Sequence, residues 1–465
     1  MTLTVITGGR LVDATRPAPS LDVLQGAADA MTADPAHTLD VVVDDATAAV
    51  VAVGAGLAAA HPDARLLDAG GCLVVPALVD LGAHLGQPGF EQAETIETAS
   101  RAAALGGYGA VVALPDTDPC TDSAAVVAEL RALAKAALCE IVPAGALTHG
   151  RDGVVLGPMG ELADLGVRLF TDAPRCVQDG GVVRRALEYA AGVAEATGAP
   201  LVVAQRCRAD DLAGRSVMHE GPWSARLGLP GQPALAEELI VTREIALARL
   251  TGGRVHLQQL STAGSVALVR AAKAEGLRVT ADVAPAHLVL TDADCAGFDP
   301  NLKLDPPLRT AADVAALRAG LADGTIDAVA TGHRPCPRDA KELPFDQAPP
   351  GSIGLETALA VLLTLSCDGS ATDGAGELPL GAILAALSWQ PAAVAGLRDR
   401  HGGPIEPGRA ANLAVVDPAA RWRFEAASSA SRATNSCFDG RRLTGRVRHT
   451  VVAGEPVVID GEAQR

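Results

Sequence analysis

Side chains able to do chemistry are thinly spread in this sequence. Residues 75–87 read V-P-A-L-V-D-L-G-A-H-L-G-Q, an apolar run closed by a single histidine, His84. Within it, residues 77–81 are short and, apart from Asp80, apolar, which predicts a buried strand. The end of such a strand is where a parallel α/β barrel keeps its chemistry. Here that end offers Gly82, His84 and Gly86, so one metal-capable group. His333 and Cys336 have the residue types of a base and a nucleophile, but nothing nearby marks a third group to orient them. Lys303 and Arg309 flank Asp305 and could attract an anion or pair with that acid. His219 and Glu220 fall in a helix-like region and carry little signal. The nine cysteines (72, 120, 139, 176, 207, 295, 336, 367 and 437) include no C-x-x-C pair or other zinc-like spacing. They read as reduced, mostly buried small apolar residues.

Any such groups need elements to hold them. At 465 residues, 49% of them apolar, the chain can build two or three domains or one large barrel with an appendage. Residues 3–6, 39–43 and 49–53 predict short strands, with 14–35 as a loop rich in Ala, Pro and Asp. From residue 73 strands alternate with helices. Strands are predicted at 110–114, 140–144, 167–171, 200–204, 254–258, 278–283 and 327–331. Helices are predicted at 91–105, 123–137, 234–250, 264–274, 311–321 and 354–365. That alternation predicts a (β/α)8 barrel over 75–400. Residues 402–417 and 447–460 return to strands and turns. The fold class is therefore α/β, a distorted TIM-type barrel with a small β-sandwich built from both termini, 1–74 and 401–465.

Composition also excludes functions. Eleven aromatics (six Phe, two Tyr, three Trp) are too few for a base-stacking platform, and a net charge of −17 opposes a phosphate-binding surface. No nucleic-acid partner is expected. Apolar stretches such as 358–365 are too short to cross a bilayer, and residues 1–12 lack the pattern of a secretory signal. The expectation is a cytoplasmic protein without a membrane partner.

Several stretches together resemble the dihydroorotase branch of the amidohydrolase superfamily. They are F-E-Q-A-E-T-I-E-T-A-S-R-A-A-A-L-G-G-Y at 90–108, L-P-D-T at 114–117, L-F-T-D at 169–172 and H-x-x-x-L-S-T-A-G-S-V from 256. P-A-H-L at 285–288, K-L-D-P-P-L-R at 303–309, D-G-T-I-D-A-V-A-T-G-H at 323–333, A-P-P-G-S-I-G-L-E-T from 348 and P-G-R-A-A-N-L-A-V-V-D at 407–417 continue it. The resemblance implies the same barrel and sandwich. In active members it implies a zinc centre that interconverts carbamoyl aspartate and dihydroorotate.

Position by position, the resemblance also implies losses. In D-x-H-x-H-x-R the first histidine is Gly82, the second is His84 and the arginine is Gly86. The substrate-binding Asn of P-N-T is Asp116. F-S-D-D-G keeps Asp172 alone, and H-x-E-D becomes Gln205-Arg206-Cys207-Arg208. In H-x-x-H the first histidine, His256, remains and the ligand is Gln259. P-H-H-L keeps only His287, and the Asn of K-x-N-P-P-L-R is Asp305. In D-H-A-P-H the Asp, ligand and general base in the family, is Gly332, followed by His333. His84, Asp172, His287 and His333 then stand as relics, with hydrogen bonding in the old packing favoured over a reduced metal site. No cofactor is expected, zinc being the metal of active relatives.

The expectation that follows is a noncatalytic dihydroorotase homologue, a structural subunit for aspartate carbamoyltransferase in pyrimidine biosynthesis, in a hetero-oligomer of the dodecamer type. Its alternatives are a divergent zinc-dependent dihydroorotase or cyclic amidohydrolase, and a metabolite-sensing pseudo-enzyme.

Overall fold

Short valine- and alanine-rich runs, each bounded by Gly, Pro or Asp, form two β systems in this chain. The computed structural model describes residues 3–16, 18–19, 38–367 and 378–465. Strands β1 (Leu3–Leu11), β2 (Thr38–Asp44), β3 (Ala49–Gly54), β4 (Arg65–Asp68) and β5 (Leu73–Pro76) open the chain. Barrel strands β6 (Leu78–Ala83), β7 (Tyr108–Ala113), β8 (Glu140–Pro143), β9 (Leu169–Phe170) and β10 (Val202–Arg206) follow. A small ribbon, β11 (Met218–His219) with β12 (Gly231–Gln232), precedes β13 (Val255–Gln258), β14 (Val279–Val283) and β15 (Ala328–Val329). The chain ends in β16 (Leu413–Arg423), β17 (Arg442–Val452), β18 (Glu455–Ile459) and β19 (Glu462–Ala463).

The first five and last four strands make one nine-stranded sheet in the order β19-β18-β17-β16-β5-β1-β2-β3, with β4 on β1. The two ends meet where β16 runs antiparallel to β5, Leu413 opposite Pro76 and Val416 opposite Leu73. Ile6, Val41, Val74, Leu413 and Val451 share one apolar cluster across that join. The expected terminal sandwich is thus present.

The barrel strands are parallel and fall into two ladders, β6-β7-β8 and β9-β10-β13-β14-β15. Two seams close the ring. At one, a parallel bridge joins Gly145 to Phe170. At the other, a carboxylate takes the place of a ladder. Thr331 donates its N–H to Asp80 Oδ1 (2.8 Å) and its hydroxyl to Oδ2 (2.7 Å), and the His84 N–H donates to the His333 carbonyl (3.0 Å). Inside, Val79, Leu81, Val112 and Ala328 pack on Ala392, Val394 and Leu397, so the helix Trp389–Val394 plugs the strand-entry end.

Small residues let helices lie close on the strands, consistent with the scarcity of aromatics. A Cβ on Gly106 would sit 2.0 Å from the Leu355 carbonyl oxygen, so only glycine fits there. The helix expected from residue 91 begins at Ile96, because the Thr95 hydroxyl caps it by accepting from the Thr98 N–H. The sequence reading assigns no element to Gly180–Thr197, an 18-residue helix that opens on Gly-Gly and is capped by Asp179. Glycine read as a breaker conceals a helix whose inner face is Val182, Val183, Ala186, Leu187 and Ala190. The region of His219 is a strand of the small ribbon, where a helix is expected. The expected loop at 14–35 lies mostly outside the described residues. Among the described residues no helix is long and apolar enough to cross a membrane.

Asp80 is fully buried and holds the seam with two hydrogen bonds. Asp80→Ala leaves the buried Thr331 N–H unsatisfied and should destabilise the fold by roughly 2–4 kcal/mol, read as a lower urea midpoint at unchanged slope.

Candidate active site

The exit ends of the barrel strands open on a cleft of about 780 Å³, solvent at its mouth included. Arg206 at the end of β10, Gln259 after β13, Gly332 and Arg334 after β15, and His84 after β6 line it, with Asp305 from a long loop. Asp305 is the electrostatic centre. Arg206 Nη2 donates to it at 3.2 Å, Arg208 Nη1 at 3.5 Å, and Arg334 Nη1 stands 3.9 Å away. Burial raises the Asp305 carboxyl, but the surrounding guanidinium charges outweigh it and hold the group below its ordinary range.

Neither Lys303 nor Arg309 makes that pair, contrary to the sequence expectation. Lys303 donates to the Asp346 carbonyl (2.9 Å) and lies over the Phe345 ring. Arg309 is buried and donates to Ser261 Oγ (3.0 Å), His219 Nδ1 (3.1 Å) and the Gln232 carbonyl (2.9 Å). His219 therefore has a packing role that its sequence neighbourhood did not signal.

His84 contacts Asp116 through Nδ1, in a close pair 32 residues apart. Burial pushes the imidazole pKa down and prevails over Asp116, which pulls it up; Arg334 and His333 add to the lowering. The ring is neutral near pH 7, with Nδ1–H donating to the Asp116 carboxylate and no partner for Nε2 among the described residues. For Asp116, burial is overcome by His84, Arg151 and Arg334, so the acid stays ionised.

The remaining histidines and acids are engaged elsewhere. His333 faces the Glu94 carboxylate (Nε2–Oε2 3.4 Å) and accepts at Nδ1 from the Gly354 N–H (3.3 Å). Glu94, in a stretch read only as helix, is the third group missing from the sequence reading, and Cys336 takes no part. The Cys336 thiol donates to the Arg334 carbonyl (3.8 Å), and burial raises its pKa, which removes it as a nucleophile. His287 donates to the Pro306 carbonyl (3.0 Å), and burial lowers its pKa to about 4. His256 sits between Thr280 Oγ1 (2.9 Å) and Asp282 Oδ2 (2.8 Å). Asp172 accepts from the Leu147 and Thr148 N–H groups (2.9 and 3.0 Å), outside the cleft.

The glycines are shaped by their surroundings. Leu114 fills the space beside Gly82, its Cδ2 3.3 Å from where a Cβ would stand. Gly86 has φ +69°, and a Cβ would fall 2.5 Å from the Glu94 carbonyl oxygen. An arginine has no place there on this backbone. Gly332 also has positive φ (+65°), with Ala284 Cβ 3.1 Å away. Gln205 is buried outside the cleft and accepts from the Val177 N–H (3.4 Å), while the Gln259 N–H donates to Asp282 (2.7 Å). Zinc needs about four N, O or S ligands. Among the described residues no group of three or more His, Cys, Asp or Glu is placed to hold a metal. The donor set does not fit a zinc centre.

Comparison with known proteins bears on the reading. Residues 71–265 match the dihydro-orotase-like family and 229–457 the amidohydrolase family. The chain is 43% identical to a dihydroorotase of Streptomyces coelicolor, over 91% of this chain and 96% of that protein. It is 44% identical to one of Pelotomaculum thermopropionicum (85% and 90%) and 40% to one of Geobacter sp. strain M21 (97% and 98%). In fold it is similar to an L-hydantoinase from Arthrobacter aurescens, with TM-score 0.82 and 23% identity over 100% of this chain and 98% of that one.

Relatives this similar are named for an enzyme, which overturns the expectation of a noncatalytic assembly subunit. That expectation equated missing zinc donors with missing catalysis. It overlooked Asp116, which orients His84 at the cleft.

The arginine cluster has a measurable weight. Asp305→Asn leaves Arg206 with half-made contacts in a nearly buried site and should cost roughly 2–4 kcal/mol of stability at neutral pH. Because the folded-state pKa is depressed, this contribution is complete above the unfolded value of about 4 and fades as pH falls below it. Urea titrations of both proteins should therefore converge at acid pH.

Proposed function

This chain belongs to the dihydroorotase-like amidohydrolases, and we propose that it opens and closes a carboxylated cyclic amide of the dihydroorotate and carbamoyl aspartate class, with its own side chains as the acid–base machinery. His84, which lines the cleft, and Asp116, which contacts its Nδ1, carry this reading. A neutral imidazole fixed by a carboxylate at Nδ1 presents Nε2 as a base, the arrangement that general acid–base catalysis needs.

In the hydrolytic direction a water oxygen attacks the ring carbonyl carbon while His84 Nε2 takes a water proton. The ring C–N bond then breaks, and the imidazolium returns that proton to the departing nitrogen. Ring closure retraces these steps and releases water. Arg206, Arg208 and Arg334 surround Asp305, and Arg208 also pairs with Asp210 (2.8 Å), so three guanidinium groups against two carboxylates leave the cluster with excess positive charge. A substrate carboxylate complements it through charge-assisted hydrogen bonds. No step is assigned to a metal, because the donors around His84 do not fit one.

Dihydroorotate hydrolysis and carbamoyl aspartate cyclisation, assayed on protein dialysed against a chelator, test this. Wild-type turnover should survive dialysis, and His84→Ala and Asp116→Asn should each lower kcat by about 10²–10⁴-fold. The active form is neutral His84, so kcat/KM should fall on the acid side with an apparent pKa below the ordinary histidine value of about 6.5. Arg206→Ala should act chiefly on KM. No turnover with or without added zinc would sink the reading, as would full activity in His84→Ala.

A further inference from the structure

A second and wider cleft, about 2010 Å³ with open solvent included, lies at the opposite end of the barrel. Sequence order places its charges. Arg168, Arg254 and Arg278 each stand one residue before a barrel strand, β9, β13 and β14, and parallel strands bring those positions to one face. Arg131 joins them from the helix Ala124–Leu133, and Arg398 from the turns after the plugging helix.

These five guanidinium groups have no carboxylate among the described residues. Arg131 donates to the Leu165 carbonyl, and Arg168 to those of Ala163 (2.7 Å) and Val167 (3.1 Å). Arg254, Arg278 and Arg398 are exposed, and their guanidinium groups make no hydrogen bond or ion pair with any described residue. The acids of the cleft are taken: Asp327 by Lys273 at 2.7 Å, and Asp399 by Arg400 at 3.2 Å. Some exposed arginines elsewhere do find carboxylate partners, as in Arg184–Glu188 (2.8 Å), Arg249–Glu275 (2.7 Å) and Arg270–Asp323 (2.8 Å). A chain of net charge −17 thus gathers unneutralised positive charge in one concavity. The overall charge, which spoke against a phosphate-binding surface, does not describe this face. Like charges in a concave site repel each other and raise the local concentration of anions.

We propose that this cleft binds a small phosphorylated molecule carrying at least two phosphate groups. Guanidinium forks match phosphate oxygens bidentately, and five of them outnumber what one carboxylate can satisfy. Val202, Leu277 and Val394 add an apolar flank for any organic portion of the ligand. The cleft is at the far end of the barrel from His84, so occupancy acts on stability and leaves the chemistry at the other end to its own residues.

Calorimetric titration with pyrophosphate and with ADP, at low and at moderate salt, tests the assignment on the full chain. Pyrophosphate should bind saturably, raise Tm and weaken as salt rises. Arg254→Ala/Arg278→Ala should weaken it by about tenfold or more, with Arg184→Ala as the unaffected control. Tighter binding of ADP assigns a nucleotide, and equal binding a free oligophosphate; both support the site. Absence of saturable binding, unchanged binding in a double variant whose circular dichroism is native, or loss instead in Arg206→Ala/Arg334→Ala would overturn it.

Discussion

One buried carboxylate, Asp80, closes the ring of strands. β6 and β15 lack a regular ladder between them, and the Asp80 bonds to the Thr331 backbone and hydroxyl hold the gap. The groups nearest the chemistry hang from this seam: His84 follows β6, His333 and Arg334 follow β15, and the His84 N–H to His333 carbonyl bond ties the loops. Burial pushes the Asp80 carboxyl pKa up while its bonds to Thr331 pull it back. Such a group is retained because nothing apolar could satisfy the Thr331 N–H in its place.

From that seam outward, electrostatics sorts the cleft into two parts. Around Asp305 the charges are fixed in ion pairs that resist protonation. Around His84 burial keeps the imidazole neutral, and Asp116 settles which nitrogen bears the proton. A fixed cationic wall beside a neutral, oriented base is suited to an anionic substrate that exchanges a proton. The wall and the base come from strand ends far apart in sequence, so the barrel alone brings them together.

Periodicity and punctuation were enough to anticipate the barrel and the terminal sheet, because strands such as Val279–Val283 and helices such as Leu235–Thr251 have apolar patterns of the right length. They failed at Gly180–Thr197, where two glycines open a helix stabilised by its buried face. Resemblance identified the family and pointed to Gly82, Gln259 and Gly332 as poor ligands. It could not show that Asp116 reaches His84, that Asp305 meets three arginines, or that Glu94 lies against His333, since those contacts span 29 to 239 residues. Nor could a net charge reveal where positive charge collects. Sequence displays residue types, whereas a site depends on which distant side chains share a direction.

The helix that plugs the barrel has a consequence for how the molecule is made. Ser388, just before it, donates its hydroxyl to the Pro76 and Ala77 carbonyls, where the chain crosses from terminal sheet to barrel, and β16 then completes the sheet at β5. Both apolar cores therefore wait for the last fifth of the chain. While a ribosome is still translating it, the growing polypeptide has an open-ended barrel above an unfinished sheet, and only release of the carboxyl-terminal segment lets either interior seal.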